Sequence, residues 1–337
     1  MTTEILILGS SNIDFILRIP RFHLPGETIS AENLMIVFGG KGANQAIASR
    51  RLGGKVAFAT KLGTDHHGVA YRRYLIQHGL DPAWILRDKD HPTGLAVVEL
   101  IPEGENRIIV SPGANHSFSE DDLRRLAPIP KGIKVFVTQL EVPLRTVRMG
   151  LEMAKDHGAI TLLNPSPASR LSPDLLSLVD FIVPNELEAQ FLTGIKMRGN
   201  RDIPRLAKRL LEMGSRNVVI TLGSKGLFFK NRSQEISMKA FKVKVVDATA
   251  AGDAFMGALA YGLSRNNPLQ EVLRLANGAG ALAAQKLGAQ PSLPGRKDLD
   301  LFLRQQDNNV MTKSGQPFPP LDSGQHRGNG RVISESS

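Results

Sequence analysis

The sequence reads as an α/β protein: a doubly wound, mostly parallel sheet with helices on both faces, plus a small separate β-sheet. Three observations predict this. From Ser119 onward, short apolar runs alternate with helical stretches, the pattern of a parallel sheet covered on both sides. Two β-rich pieces, near residues 13–38 and 94–110, stand outside that alternation and are too far apart to form one loop, so they could pair as a separate sheet. A chain of 337 residues that is 42% hydrophobic and 22% charged has an ordinary globular composition and can bury a large core.

The first element is the apolar run Ile5–Leu8, a buried strand closed by Gly9. An extended stretch from Ile13 to Ile19 follows, then a turn at Pro25-Gly26-Glu27 and a loosely alternating strand from Thr28 to Phe38. Gly39-Gly40-Lys41-Gly42 breaks it. Ala43–Leu52 has helical spacing and stops at Gly53-Gly54. Val56–Thr60 predicts a strand and Val69–His78 a helix, and the segments 94–101 and 106–110 predict a hairpin. Strands are then expected at Val135–Val137, Ala159–Leu163, Phe181–Val183 and Val218–Leu222, with helices at Thr146–His157 and Ile203–Met213 between them. A further strand is expected over Lys239–Val246, followed by small-residue helices at Ala251–Ser264 and Leu269–Lys286. After about Gln306 no apolar period survives, so 306–337 is expected to be a disordered tail behind a domain spanning 1–305.

Composition narrows the function. With no cysteine there are no disulfides, thiolate metal sites or cysteine nucleophiles, which suits a cytoplasmic protein. The amino terminus lacks the basic region of a secretory signal, and no apolar run reaches the roughly 18 residues a membrane helix needs. The net charge of +10 is spread over scattered pairs such as Arg50-Arg51 and Arg124-Arg125, and aromatics are 5% of the chain. That arrangement argues against nucleic acid or membrane as partner and favours small anionic ligands.

Several strand-to-helix junctions carry residues suited to chemistry. Asp247-Ala248-Thr249-Ala250-Ala251-Gly252-Asp253 opens a helix with small residues, where unpaired first-turn amides and the helix dipole favour an anion. Phosphoryl transfer needs such a cradle and a base that orients a hydroxyl, and Asp253 fits the base as well as it fits a helix cap. Gly39–Asn44 is a second small-residue turn, with Lys41 and Asn44 as donors toward a hydroxylated or anionic ligand, and it is not a Walker A loop. Asn12 and Asp14 follow the first strand and suit vicinal hydroxyls, or alternatively a turn. Asn185 and Glu188 could serve phosphates through Mg²⁺ or form a capping box. Thr221–Gly226 could cradle a nucleotide or make a tight turn.

Taken together, these stretches resemble the PfkB family of carbohydrate and nucleoside kinases, and within it the ribose kinases. The resemblance spans about residues 4–305, with Gly39–Asn44 matching one family signature and Asp247–Asp253 the other. The usual second signature has Gly where Ala250 stands. The resemblance implies ATP-dependent phosphorylation of D-ribose at O5, giving D-ribose 5-phosphate. Asp253 would be the base, with the amides of Ala250, Ala251 and Gly252 as anion hole. Asn12, Asp14, Gly40, Lys41, Gly42, Asn44, Glu141 and Asp253 would hold the sugar. Asn185, Thr221, Gly223, Ser224, Lys225, Gly226, Gly252 and Asn277 would contact ATP, and Glu188 would help order Mg²⁺. Asp247, Thr249, Ala283, Lys286, Gly288 and Ser292 would hold a monovalent cation, usually K⁺. The inserted β segments would form the lid and pair with their twin in a homodimer. The alternatives are a kinase for 2-deoxyribose or another small sugar, and a sugar-binding protein without turnover.

Overall fold

The computed structural model describes residues 3–314, apart from 103–104 and 127–128. The chain begins with β1 (Ile5–Leu8), whose four residues are all buried. It then makes β2 (Asn12–Arg18) and β3 (Asn33–Gly39), and enters α1 (Lys41–Arg51). β4 (Val56–Gly63), α2 (His66–Gln77) and β5 (Ile85–Asp88) come after it, then the antiparallel pair β6 (Gly94–Leu100) and β7 (Asn106–Ser111). Regular alternation comes next: α3 (Glu120–Arg125), β8 (Val135–Thr138), α4 (Leu144–Asp156), β9 (Ile160–Leu163), α5 (Pro173–Ser177), β10 (Phe181–Ile182), α6 (Glu186–Thr193), α7 (Ile203–Glu212) and β11 (Asn217–Thr221). The hairpin β12 (Leu227–Lys230) and β13 (Glu235–Met238) precedes α8 (Ala251–Ser264), α9 (Leu269–Ala283) and α10 (Arg296–Ser314).

Among the described residues the strands form two sheets. The large one has nine strands in the order β13-β12-β11-β10-β9-β8-β1-β4-β5, parallel from β11 to β5, with β12 and β13 antiparallel. The small one has the order β3-β2-β6-β7. It is built from the two segments expected to pair outside the main alternation, and β2 runs parallel to β6 in register from Asn12↔Gly94 to Arg18↔Leu100.

Strand period 2 sends alternate residues of each central strand to opposite faces. Ile5 and Ile7 join one core with Val135 and Val137, under α1, α2, α8 and α9. Leu6 and Leu8 join the other with Phe136, Leu151 and Leu206, under α4 and α7. Both faces of β1 are therefore covered, which explains an uninterrupted apolar run. The chain first builds outward from β1 through β4 to β5, then returns to β8 on the other side of β1. That reversal, at the carboxyl ends of β1 and β8, is where open α/β sheets take ligands.

Two expectations are corrected. Lys239–Val246 forms no strand: the strand is Glu235–Met238, and residues 239–246 run irregularly from its end. The alternation is real, since Phe241 and Val243 pack on the core while Lys242 and Lys244 are exposed, but no neighbouring strand supplies a ladder. Helix α10 continues to Ser314, past the break read from composition at 306, with Arg274 Nη2 donating to Leu303 O at 3.0 Å and Asp307 Oδ1 at 2.5 Å. The rest of the expected tail lies outside the described residues. No helix of the described residues is long and apolar enough to cross a membrane.

Candidate active site

The site starts from how closely α1 and α8 approach. Ser49 Oγ donates to Gly257 O at 3.0 Å, and a Cβ at Gly257 would meet the Gln45 carbonyl oxygen at 2.9 Å and Ala48 Cβ at 2.5 Å. Only glycine fits there, and the short separation lets side chains from the first turn of α1 reach the first turn of α8. Asn44 Nδ2 donates to Asp253 Oδ2 at 2.9 Å, and Gln45 Nε2 donates to Asp253 Oδ1 at 2.9 Å. Asp253 is 7% exposed. No side-chain bond caps α8, so the capping alternative for Asp253 fails and its carboxylate is held by α1 instead.

Gln45 is itself oriented. Gln139 Nε2, just past β8, donates to Gln45 Oε1 at 2.6 Å, which directs the Gln45 amide nitrogen toward Asp253. Asn44 Oδ1 is buried and has no hydrogen-bond partner among the described residues. A buried unfilled acceptor costs about 1–3 kcal/mol, so this atom calls for a donor such as a ligand hydroxyl.

The turn into α1 brings Lys41 beside these groups. Gly40 has φ +89°, a left-handed conformation that glycine adopts without strain, and a Cβ there would meet Asn12 N at 2.7 Å. Glu141 Oε2 accepts from Lys41 N at 3.1 Å and from Ser10 Oγ, tying the ends of β1 and β8 to the turn, while Gly42 N donates to Ser10 Oγ at 3.4 Å. Burial pushes the Lys41 ammonium down. The carboxylates of Asp253, Glu141, Glu188 and Asp14 more than reverse this and hold it above the usual lysine value. Burial, with Glu141 and Asp253 nearby, pushes the Asp14 carboxyl up to about 7, against the opposing pull of Lys41. Asn12, buried at the start of β2, accepts at Oδ1 from Asn115 Nδ2 at 2.7 Å. Asn115 also pairs with the Ser11 backbone through both side-chain atoms.

A cavity of about 220 Å³ opens beside Asp253, lined among others by Lys41, Asn164, Asn185, Glu188, Thr221 and Gly252. Asn185 and Glu188 form a reciprocal capping box on α6, with Asn185 N to Glu188 Oε2 and Glu188 N to Asn185 Oδ1 both at 2.9 Å. Glu188 Oε1 makes no hydrogen bond with the described residues, so the residue caps the helix and still offers one oxygen to the cavity. Thr221 faces the same space. Gly223, Ser224 and Lys225 form an exposed turn beyond it, closed by buried Gly226, and Lys225 Nζ pairs with Glu186 at 2.9 Å. Asn277 lies outside the cavity lining, its Nδ2 donating to Lys239 O at 2.8 Å.

At the start of α8, Ala250 has φ +60°, left-handed although not glycine. Ala251 N donates to Ala248 O at 3.1 Å, whereas the amides of Ala250 and Gly252 make no hydrogen bond with the described residues. The upstream loop is fastened by Asp247, which accepts from Thr249 N at 2.8 Å, Thr249 Oγ1 at 2.6 Å and Gly288 N at 2.9 Å. This joins the two segments that hold Asp247, Thr249 and Gly288. Ser292 is buried close by in sequence, its Oγ donating to Ala289 O at 2.7 Å.

Gln45, Gln139, Asn115 and Asn164 were not anticipated from the sequence. Only position offered a signal: Gln45 adjoins Asn44, and Gln139 follows the β8 apolar run two residues before Glu141.

The model for pfkB family carbohydrate kinases matches residues 2–296. The chain is 38% identical over 303 residues to a ribokinase from Haemophilus influenzae, covering 90% of this chain and 99% of that protein. It is 40% identical over 299 residues to a ribokinase from Staphylococcus aureus, covering 87% and 97%. The structure of Arabidopsis thaliana ribokinase complexed with ribose and ATP is similar at a TM-score of 0.82 and 31% identity, over 90% of this chain and 99% of that one.

Proposed function

The chain belongs to the pfkB family of carbohydrate kinases, and we propose that it transfers the γ-phosphoryl group of ATP to the O5 hydroxyl of D-ribose, giving D-ribose 5-phosphate and ADP. One observation carries the reading. Asp253 is a buried carboxylate held at both oxygens by Asn44 and Gln45, and it borders a cavity also lined by Lys41, Glu188 and Gly252.

The ribose hydroxyl oxygen forms the new bond to phosphorus as the bond from phosphorus to the β-phosphate oxygen breaks. The hydroxyl proton passes to Asp253, and the electron pair leaves with ADP. Positioning and electrostatic support carry most of such a reaction. The amides of Ala250 and Gly252, with the amino end of α8 behind them, serve the developing phosphoryl charge. Lys41 adds a fixed positive charge across the cavity. Asn12, Asp14, Gly40, Gly42 and Glu141 shape the sugar side around it. Asn185, Thr221 and the turn Gly223–Gly226 form the nucleotide side.

The donor chemistry of two residue groups supports both implied ions. Glu188 offers a free carboxylate oxygen to the cavity, in keeping with Mg²⁺ held by one carboxylate, phosphates and water. When bound, Mg²⁺ would neutralise phosphate charge. Asp247, Thr249, Ala283, Lys286, Gly288 and Ser292 would supply a carboxylate and backbone carbonyls to K⁺, a reading supported by the bonds from Asp247 to Thr249 and Gly288 that bring three of them together. Dimerisation through the lid is supported by its exposed apolar residues, Leu34 and Ile36 on one edge strand and Ile108, Ile109 and Val110 on the other.

A coupled ADP-release assay with ATP and Mg²⁺, over ribose, 2-deoxyribose and other small sugars, with and without K⁺, tests this. The highest kcat/KM is expected for ribose. A higher value for another sugar, or no sugar-dependent ADP release, contradicts it.

A further inference from the structure

A second cavity, of about 320 Å³, lies along α2 and shares no lining residue with the first. Its walls are Leu62 and Gly63 at the end of β4, Arg87 on the edge strand β5, and Gly68, Val69, Arg72, Arg73, Ile76 and Gln77 on α2. The geometry follows from two periodicities. Val69, Arg72, Arg73 and Ile76 stand at i, i+3, i+4 and i+7, one stripe of a helix. Leu62 and Arg87 are register partners on adjacent strands, so their side chains share a face.

Three arginines line this cavity without an acid, Arg72 partly buried and Arg73 and Arg87 exposed at its rim. Arg72, Arg73 and Arg87 make no ion pair or hydrogen bond with the described residues. The neighbouring carboxylates are committed elsewhere. Asp65 accepts from Gly68 N at 3.0 Å and Thr93 N at 2.7 Å. Asp88 holds Lys61 at 3.1 Å and also accepts from Ser117 Oγ. Arg72 Nε is buried and has no hydrogen-bond partner among the described residues. A buried orphan donor is costly, and the two exposed guanidinium groups along the same groove add like charge that water only partly screens. Both costs fall when an anion with several acceptor oxygens enters. Guanidinium forks match phosphate oxygens in pairs, and Leu62, Val69 and Ile76 offer aliphatic contact to a small organic body.

We propose that this groove is a binding site for a small phosphate monoester or inorganic phosphate, separate from the site at Asp253. The shared chemistry is a phosphoryl dianion. The volume suits one small molecule and not a polynucleotide.

Isothermal titration calorimetry of the full chain with inorganic phosphate, and separately with ribose 5-phosphate, tests this against the Arg72→Gln/Arg87→Gln double variant at constant ionic strength. A phosphoryl site in the wild type is expected to weaken at least tenfold in the variant, because each charge-assisted contact is worth about a tenfold change. Sugar-dependent ADP release and the thermal midpoint should stay at wild-type values, showing that the Asp253 site and the fold are intact. Tighter binding of ribose 5-phosphate than of phosphate, lost in the variant, supports an organic ligand. Equal loss for both supports the phosphoryl group alone. Identical isotherms for wild type and variant, or the same heats with chloride in place of phosphate, overturn the proposal. The inorganic phosphate isotherms and the melting curves are read without turnover or product, so that arm stands whether or not the kinase reading does.

Discussion

Gln45 Nε2 lies 2.9 Å from Asp253 Oδ1, although 208 residues separate them in sequence. Gln45 is fully buried, and its orientation is set by Gln139 at 2.6 Å. Replacing Gln45 by Met removes one of the two donors that aim the carboxylate and leaves Gln139 Nε2 without its acceptor. A misaimed base loses rate more than binding. Gln45→Met is expected to lower kcat about tenfold or more while the KM for ATP moves less than threefold. Steady-state kinetics at saturating sugar checks this.

Asp14 gives a pH dependence with a defined sign. Burial, then Glu141 and Asp253, push its carboxyl up from 3.8 to about 7 in the folded chain. The fold therefore favours the protonated form. That contribution is complete below the unfolded value and is lost as pH rises through the folded one. Asp14→Asn mimics the protonated acid. The variant should match the wild type near pH 4 and exceed its stability near pH 8, by up to about 4 kcal/mol. Urea unfolding of both proteins across that range measures the difference, which is insensitive to the other titrating groups they share.

Glu188 serves both a cap and the cavity, and one substitution separates the two. Glu188→Gln keeps an acceptor for Asn185 N, so the capping box and the unfolding free energy should stay within about 0.5 kcal/mol of wild type. The lost charge should raise the Mg²⁺ concentration needed for half-maximal activity about tenfold. Asn185→Ala, in contrast, should cost about 1 kcal/mol of stability. A Mg²⁺ titration and a melting curve for each variant distinguish the roles.

Ala250 occupies a left-handed conformation at φ +60°, which costs an alanine about 1 kcal/mol that glycine does not carry. Ala250→Gly recovers that strain but loosens the unfolded chain by a comparable amount. Its thermal midpoint should equal or exceed that of the wild type. Ala250→Val, β-branched, should lose about 2 kcal/mol, and calorimetry of the pair checks the order.

Much of this architecture was legible in the sequence because burial on two faces leaves a plain mark. Ile5–Leu8 and Val135–Val137 are uninterrupted apolar runs, and Ala251–Ser264 has the stated bounds in the structure. The lid segments stood apart because their strands interrupt the strand–helix rhythm. The misread stretch 239–246 shows the limit of periodicity, since Phe241 and Val243 alternate with lysines where no neighbour offers hydrogen bonds. The short strands β5 and β12 were not anticipated, and each gains its ladder from strands already in place. At the site, charged and glycine-rich motifs were visible. The amides of Gln45, Gln139, Asn115 and Asn164 were not, because their roles arise from contacts across roughly a hundred residues or more, which no local spacing encodes.

The most direct measurement is turnover of ribose by Asp253→Asn, with ATP binding measured on the same preparation. Asn keeps the size of the side chain but cannot take a proton. ADP release should fall by about 10²–10⁴, the range for loss of a general base, while the affinity for ATP changes little. Turnover within threefold of wild type would contradict the role of Asp253 and the account built on it.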